Sequence, residues 1–220
     1  MKRKQIDLST KTVLLITLIL LVLNGIGGAF LAFRSRTTMR HVIDNHMLGV
    51  AKTAAALLDG DELAALTAAD EGGDKQNAIL DKLKSFSDRL EFKYIYAVRP
   101  NGDGTFIFIA DPDPDGDPAT FGEAVEISPA LISAGKGEAA VDSKAIRDRW
   151  GKYYSAYCPV YTSDGKIGGI VGVDFDAEWY DSQIDRQRLT VFGVSAVSLL
   201  IGAFAIVLAT SRLRKSFRER

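Results

Sequence analysis

The chain has 220 residues, and its 28 acidic and 27 basic residues give a formal net charge of −1. Its single cysteine, Cys158, excludes an intrachain disulfide. Because Cys158 lies in an apolar strand pattern, we interpret it as a small core residue rather than a reactive thiol.

Two long apolar segments bracket the chain. Residues 13–33 and 189–210 contain no formal charge, and a helix of about 20 residues spans the hydrocarbon core of a bilayer, about 30 Å. Backbone groups in lipid must satisfy one another, so both segments are predicted to be transmembrane helices. Buried helices of a soluble protein are the alternative, but such helices usually show a polar stripe.

The charge distribution predicts the orientation in the membrane. Residues 34–188 hold 26 of the 28 acidic and 18 of the 27 basic residues, a net charge of −8. Residues 1–12 and 211–220 are basic, and short basic segments remain in the cytoplasm. We therefore expect a plasma (inner) membrane protein with residues 34–188 outside the cytoplasm. The basic tail is interpreted as a contact with anionic membrane lipid, not with nucleic acid.

A cleaved signal peptide is the alternative interpretation of the first apolar segment. That segment is longer than a typical h-region of about 7–15 residues, and Phe30 breaks the small-x-small pattern before Ala32. An uncleaved anchor is therefore favoured.

The first half of residues 34–188 is predicted to be helical. A helix over 41–58 continues from the first span, with Leu48, Ala51, Ala55 and Leu58 on one face. Gly60 is expected to stop it and Asp61 to cap a short helix over 62–68. A third helix is predicted over 77–90. Its inward side chains would be Ile79, Leu80, Leu83, Phe86 and Leu90.

The second half alternates with period two, which is typical of strands. Strands are predicted at 94–98, 105–110, 139–141, 153–160 and 166–174, with a helical turn at 129–133. Helices followed by a mostly antiparallel sheet of about five strands predict an α+β domain. Residues 177–188 then lead directly into the second span, so a shift of the sheet can reach the membrane.

Three segments of this domain resemble a known family. They read YIYAVRPNGDGTFIFIADPDPDG, WGKYYSAYCPVY and SDGKIGGIVGVDFD, the last just before a membrane helix. Residues 40–188 are thereby similar to a single Cache domain, a PAS-like extracytoplasmic sensor of bacterial chemoreceptors, sensor histidine kinases and diguanylate cyclases. The resemblance implies a ligand pocket on the sheet and output through the second membrane helix. Cytoplasmic output regions usually follow, so the chain is either a fragment or a stand-alone sensor.

Candidate ligand-binding residues cluster around the 153–160 strand. Amino-acid-binding members of the family use Tyr, Arg, Trp, Tyr and Asp, and this chain matches that set loosely. An arginine could grip a carboxylate in a bidentate pair, and an aspartate could meet an ammonium. The predicted ligand-binding residues are Trp150, Tyr153, Asp174, Arg147, Arg149, Asp111, Tyr157, Tyr94 and Tyr96. The alternative is that the aromatic residues are core, the arginines are solvated and Asp174 caps a helix.

Two glycine- and aspartate-rich segments need separate explanations. Gly168, Gly169 and Gly172 weaken a strand interior and predict a bulge or the close approach of a helix or ligand, with packing favoured. Residues 111–117 match the first half of an EF-hand loop, but Gly122 occupies the position of the bidentate glutamate. A solvated turn is favoured over a calcium site, and no metal or cofactor is expected.

Catalysis finds no support in the sequence. His41 and His46 are five residues apart and cannot share a helix face, and no P-loop or GxSxG signature is present. The chain is predicted not to be an enzyme, although an output enzyme region could follow.

Asn24 and the small-xxx-small patterns starting at Gly25, Gly28 and Ser198 favour a homodimer.

The sequence therefore predicts a homodimeric membrane-anchored sensor. Its outer domain would bind a small polar metabolite of the amino or carboxylic acid class and transmit the signal through the second membrane helix to a cytoplasmic signalling partner. The alternative is a structural or assembly module that recruits a protein partner.

Overall fold

The computed structural model describes residues 10–87, 92–113 and 115–218. The helices are α1 (Thr10–Ala55), α2 (Gly60–Ala65), α3 (Asp74–Ser87), α4 (Pro129–Gly135) and α5 (Ala177–Arg218), with a 3₁₀ turn at Ala68–Asp70. The strands are β1 (Tyr94–Pro100), β2 (Phe106–Ala110), β3 (Ala140–Val141), β4 (Ile146–Arg147), β5 (Lys152–Tyr161) and β6 (Ile167–Asp176). The chain forms two compact units, residues 41–182 and a second that combines residues 1–40 with 183–220.

Residues 41–182 form the predicted α+β domain around a fully antiparallel sheet. The strand order is β2-β1-β6-β5-β3, and β4 also pairs with β5. Among the described residues the sheet has six strands, one more than expected, and the additional strand is the two-residue β4. The long strand β6 lies at the centre, and Tyr94 of β1 and Ser155 of β5 stand directly opposite Asp174.

Both faces of the central strands are buried. Eight consecutive residues of β6, from Gly168 to Phe175, are buried. One face packs against α2 and α3 together with the C-terminal part of α1, which contributes Ile43, Met47, Val50, Ala51 and Ala54 to the core. The other face is aromatic and packs against α4. Its buried members are Tyr94, Tyr96, Val98, Phe106, Phe108, Val125, Ala130, Leu131, Ala134, Tyr153, Tyr157 and Ile170.

The helix starts differ from the predicted ones. Asp59, not Asp61, caps α2, because its carboxylate accepts hydrogen bonds from the backbone N–H of Asp61 at 2.8 Å and of Glu62 at 3.3 Å. Helix α3 begins at Asp74 rather than 77 because the Gln76 side chain fixes its first turn. The Gln76 amide accepts from the N–H of Gly72 and donates to the carbonyl of Ile109. Leu90 lies outside the described residues.

Close backbone packing explains two of the β6 glycines. A Cβ on Gly168 would lie 2.0 Å from the carbonyl oxygen of Gly60, and one on Gly169 would lie 2.7 Å from Cδ1 of Leu63. Gly60 itself starts α2 because a Cβ there would lie 2.2 Å from the carbonyl oxygen of Tyr161. The predicted close approach of a helix is confirmed, since α2 rests directly on the backbone of β6.

The second unit contains the two apolar segments, each within a longer helix. Helices α1 and α5 are both long and apolar enough to cross a membrane, and none of the most apolar 18-residue window of either is buried. Within this unit the Asn24 amide donates to Ser198 Oγ at 3.4 Å. A Cβ on Gly28 would lie 3.1 Å from Ser195 Oγ. These polar and small residues therefore bring the two helices of one chain together, and the homodimer stays a prediction.

Substitution of Gly168 by alanine should destabilise the protein. The added methyl would collide with the Gly60 backbone, which cannot move without displacing α2, so we expect a loss of about 1–3 kcal/mol and a lower Tm. Gly49→Ala is the matched control, because Gly49 lies in α1 with open space around its Cα and alanine is the better helix former. Thermal unfolding of the full chain in detergent would separate the two. Equal Tm values for both variants would contradict this packing.

Candidate functional site

A cavity of about 210 Å³ lies on the aromatic face of the sheet. Its floor comes from β1, β2 and β5, and its rim from the segment before α4 and the turn between β4 and β5. The lining residues are Tyr96, Phe108, Glu123, Ala124, Val125, Glu126, Ile146, Asp148, Arg149, Trp150, Tyr153, Ser155 and Tyr157. Aromatic walls with a few converging polar groups are typical of sites for small molecules.

The turn from Asp148 to Gly151 shapes one wall of this cavity. The Asp148 carboxylate accepts hydrogen bonds from the N–H of Trp150 at 2.8 Å and of Gly151 at 3.0 Å. The Tyr153 hydroxyl donates back to the carbonyl of Trp150. A Cβ on Gly151 would lie 2.2 Å from that hydroxyl. Glycine after the tryptophan is therefore required for Tyr153 to fold over the turn.

Trp150 is held at the mouth of the cavity by contacts on three sides. Its indole N–H donates to the carbonyl of Asp117 at 2.8 Å. Phe108 packs against it edge-on, with ring centroids 5.7 Å apart, and the Arg149 guanidinium lies over its ring at 4.0 Å. The indole thus joins the 111–119 loop to the wall of the cavity.

A hydrogen-bonded group of tyrosines and one carboxylate lies beneath the cavity. The Tyr96 hydroxyl donates to Asp174 Oδ1 at 3.0 Å and lies 3.4 Å from the Tyr157 hydroxyl. The Tyr96 ring crosses β6 above Gly172, where a Cβ would lie 2.3 Å from that ring. A glycine is therefore required at position 172 to make room for the Tyr96 ring. Gly168 and Gly169 instead allow α2 to pack closely on the opposite face of the sheet.

Burial sets the protonation of Asp174. The side chain is only 4% exposed, and this burial raises the pKa of its carboxyl to about 7. Hydrogen bonds from Ser155 and Tyr96 lower that pKa, while the charges of Asp148 and Asp142 raise it further. Burial likewise raises the pKa of the hydroxyls of Tyr96 and Tyr157, so both remain donors at neutral pH.

The aspartate-rich loop is bound to the domain by its own carboxylates. Asp111 accepts from the N–H of Ala119 at 2.7 Å, and burial raises the pKa of its carboxyl to about 6. Asp115 accepts from Lys93 at 2.6 Å and from the Tyr94 hydroxyl at 2.8 Å. Within the described part of the chain, no group of three His, Cys, Asp or Glu residues is placed to hold a metal ion.

The structure brings together most of the sequence-predicted ligand residues. Five of them line the cavity, namely Tyr96, Arg149, Trp150, Tyr153 and Tyr157. Tyr94 and Asp111 line a separate gap of only about 10 Å³, which shares Tyr96, Phe108 and Trp150 with the cavity. Asp174 is one layer deeper, beneath Tyr96, and Arg147 is exposed on β4 without lining the cavity.

Three acidic residues on the rim of the cavity were not among the residues predicted from the sequence. Glu123, Glu126 and Asp148 line the cavity together with Phe108 and Ser155. The two glutamates lie in an irregular segment between β2 and α4, where no period indicates the direction of a side chain. An isolated bridge between Ile107 and Ala124 positions that segment against the edge of β2.

Comparison with known proteins supports the architecture. No protein-family model and no curated protein matches the chain. The crystal structure of the E. coli DcuS sensor domain is similar over 67% of this chain and 98% of that domain, with 18% identity and a TM-score of 0.50. At this level of identity the likeness establishes a shared fold.

Residues 41–182 have an α+β, PAS-like fold. Two further structures align with TM-scores of 0.49. One is the ligand-binding domain of Campylobacter jejuni chemoreceptor Tlp3 in complex with 4-methylisoleucine, at 16% identity, 71% of this chain and 60% of that one. The other is an extracellular ligand binding receptor from Desulfohalobium retbaense, at 20% identity, 71% of this chain and 26% of that one. In the sequence, this domain is flanked by two helices that are long and apolar enough to cross a membrane.

Asp174→Asn should change how stability depends on pH. Between about pH 4 and 7 the unfolded chain loses the Asp174 proton while the folded protein keeps it, so stability falls as pH rises, by up to about 1.4 kcal/mol per pH unit. Asparagine removes this fall, and the Tm of the full chain in detergent should become less dependent on pH over that range.

Asp164→Asn is the control for this measurement. Asp164 is exposed, and hydrogen bonds from Lys166 and Thr162 lower the pKa of its carboxyl to about 2. Its contribution to stability is therefore present above about pH 4 and is lost only as pH falls toward 2, so the profile from pH 4 to 7 should match that of the wild type. An unchanged profile for Asp174→Asn would show that the Asp174 carboxyl titrates normally.

Proposed function

We propose that this protein is a membrane-anchored extracytoplasmic sensor. Its Cache-type domain binds a small polar metabolite of the amino or carboxylic acid class, and the signal leaves through α5. The observation that carries this proposal is the aromatic cavity above Asp174, where Trp150, Tyr153 and Tyr157 converge.

The size and lining of the cavity support a small ligand. Its volume of about 210 Å³ is below the range of about 300–1,000 Å³ that is typical of sites for drug-sized molecules. Aromatic rings supply apolar contact, and the Tyr157 hydroxyl and the Ser155 side chain supply hydrogen bonds.

The alternation of β5 and β6 supports transmission of the signal. Tyr153 lines the cavity, and the next residue, Tyr154, stacks on Tyr180 of α5 with ring centroids 3.9 Å apart. The Tyr180 hydroxyl donates to Asp44 of α1 at 2.8 Å. A ligand that moves the Tyr153 backbone would therefore displace the first turn of α5.

Strand β6 likewise connects the cavity side of the sheet with α5 on the other side. Asp174 lies beneath the cavity, and the next residue, Phe175, contacts Trp179 of α5 and His46 of α1. Helix α5 runs without interruption from Ala177 to Arg218 and includes the second apolar segment. The ligand can bias this arrangement only if its affinity differs between two states of the domain.

Ligand binding should raise the Tm of the full chain in detergent or nanodiscs. Screening amino acids and carboxylic acids should identify a compound that stabilises the wild type by about 2–3 kcal/mol at 100 times its Kd. Trp150→Ala should abolish this shift, because it removes the mouth of the cavity. Tyr161→Phe is the control, since Tyr161 bonds to Gly137 outside the cavity. A broad library without any stabilising compound would favour recruitment of a protein partner instead.

The proposed topology predicts which side of the membrane each segment faces. In intact cells an impermeant thiol reagent should label Ser163→Cys, which is in an exposed turn. The wild type should remain unlabelled, because Cys158 is buried. Ser216→Cys in the basic tail should react only after the membrane is permeabilised. Labelling of Ser216→Cys but not of Ser163→Cys in intact cells would show that the topology is the opposite of the proposed one.

A further inference from the structure

We propose that the ligand is an organic cation, a compound that carries more ammonium or guanidinium groups than carboxylates. This inference rests on the proposed sensor function and specifies the net charge of the ligand, which can be a cationic amino acid or an amine without a carboxylate. The structure favours this class over simple carboxylic acids because carboxylates dominate both the rim and the buried layer beneath.

The rim of the cavity has an excess of negative charge. Glu123, Glu126 and Asp148 line it, and Arg149 is the one basic residue among the described residues of the lining. Within the described part of the chain, the Glu126 carboxylate has no hydrogen-bond or ion-pair partner. Clefts lined by one sign of charge concentrate ligands of the opposite sign.

The Arg149 guanidinium already interacts with two residues of the protein. Its guanidinium pairs with Glu123 at 3.4 Å and stacks over Trp150 at 4.0 Å. A ligand carboxylate would have to compete with Glu123 for this guanidinium. The other nearby cations point elsewhere, since Lys93 pairs with Asp115 at 2.6 Å and Arg147 does not line the cavity.

Two buried carboxyl groups lie in one row beneath the cavity. The N–H of Asp142 donates to the carbonyl of Ser155 at 2.9 Å, which extends the pairing of β3 with β5 by one residue. Ser155 in turn stands opposite Asp174. Directly opposed residues of antiparallel strands share a face, so Asp142, Ser155 and Asp174 are neighbours on the face that bears the cavity.

Among the described residues, no basic side chain is paired with either carboxyl group of this row. Asp142 is 3% exposed, and one oxygen of its carboxyl, Oδ2, has no hydrogen-bond partner. Its other oxygen accepts from the N–H of Ala130 at 3.3 Å. Uncompensated carboxylates are costly at low dielectric, and the like charges of Asp142 and Asp148 act on Asp174. A bound ammonium group would stabilise the ionised form, whereas a bound carboxylate would add to the repulsion.

The inference can be tested with defined probes. Trp179→Phe leaves Trp150, at the mouth of the cavity, as the single tryptophan, since the chain has two. Titrations of this variant in nanodiscs of neutral lipid would follow its fluorescence with putrescine and L-lysine as cations, and with succinate and L-glutamate as anions. We expect at least one cationic probe to bind about tenfold or more tightly than either anion.

Charge-neutral substitutions on the rim should change this preference. Glu126→Gln should weaken binding of the cationic probe by about fivefold, because it removes a charge without breaking a described contact. Glu138→Gln is the matched control, since it makes the same change at an exposed position outside the cavity. Glu123→Gln should weaken cation binding and strengthen anion binding, because it frees Arg149.

The outcomes distinguish this inference from the sensor proposal. Tighter binding of succinate or L-glutamate than of both cations would overturn the inference and leave the sensor proposal intact. Equal losses for Glu126→Gln and Glu138→Gln would also overturn it. If no probe binds and a wider screen of amino and carboxylic acids also fails to stabilise the protein, the sensor proposal itself is wrong.

Discussion

The burial of both faces of β6 is the constraint on which the rest of the domain depends. A strand covered on one side by α2 and on the other by an aromatic layer has no room for side chains at its closest contacts. Gly168 and Gly169 let α2 rest on the backbone, and Gly172 lets the Tyr96 ring cross the strand. The same central position removes Asp174 from solvent, which raises the pKa of its carboxyl.

Aromatic side chains form the walls of the cavity, and carboxyl groups lie on its rim and beneath it. Trp150 and Tyr153 form a preorganised wall, because the Asp148 carboxylate and the Tyr153 hydroxyl satisfy the backbone of the turn between them. Asp174 and Asp142 place acidic groups beneath, in positions where water cannot screen them. The aromatic walls provide apolar contact area, and the proposed selectivity for cations follows from charge.

The proposed transmission from the cavity to α5 rests on the geometry of a strand. Successive side chains point to opposite faces, so the neighbours of Tyr153 and Asp174 contact the helices on the far side of the sheet. Tyr154 stacks on Tyr180, and Phe175 contacts Trp179. Helix α5 begins at the residue that follows β6 and includes the second apolar segment.

Features that depend on local pattern can be predicted from the amino-acid sequence. These are the two apolar segments, the period-two strands, the α+β class and the aromatic face that carries Tyr153 and Tyr157. Which distant segments meet becomes known only from the folded structure. It placed Glu123 and Glu126 on the rim, Asp142 beside Ser155 and Arg147 outside the cavity. The reason is that irregular segments carry no period from which side-chain direction can be inferred, and their position is set by contacts with residues far away in the chain.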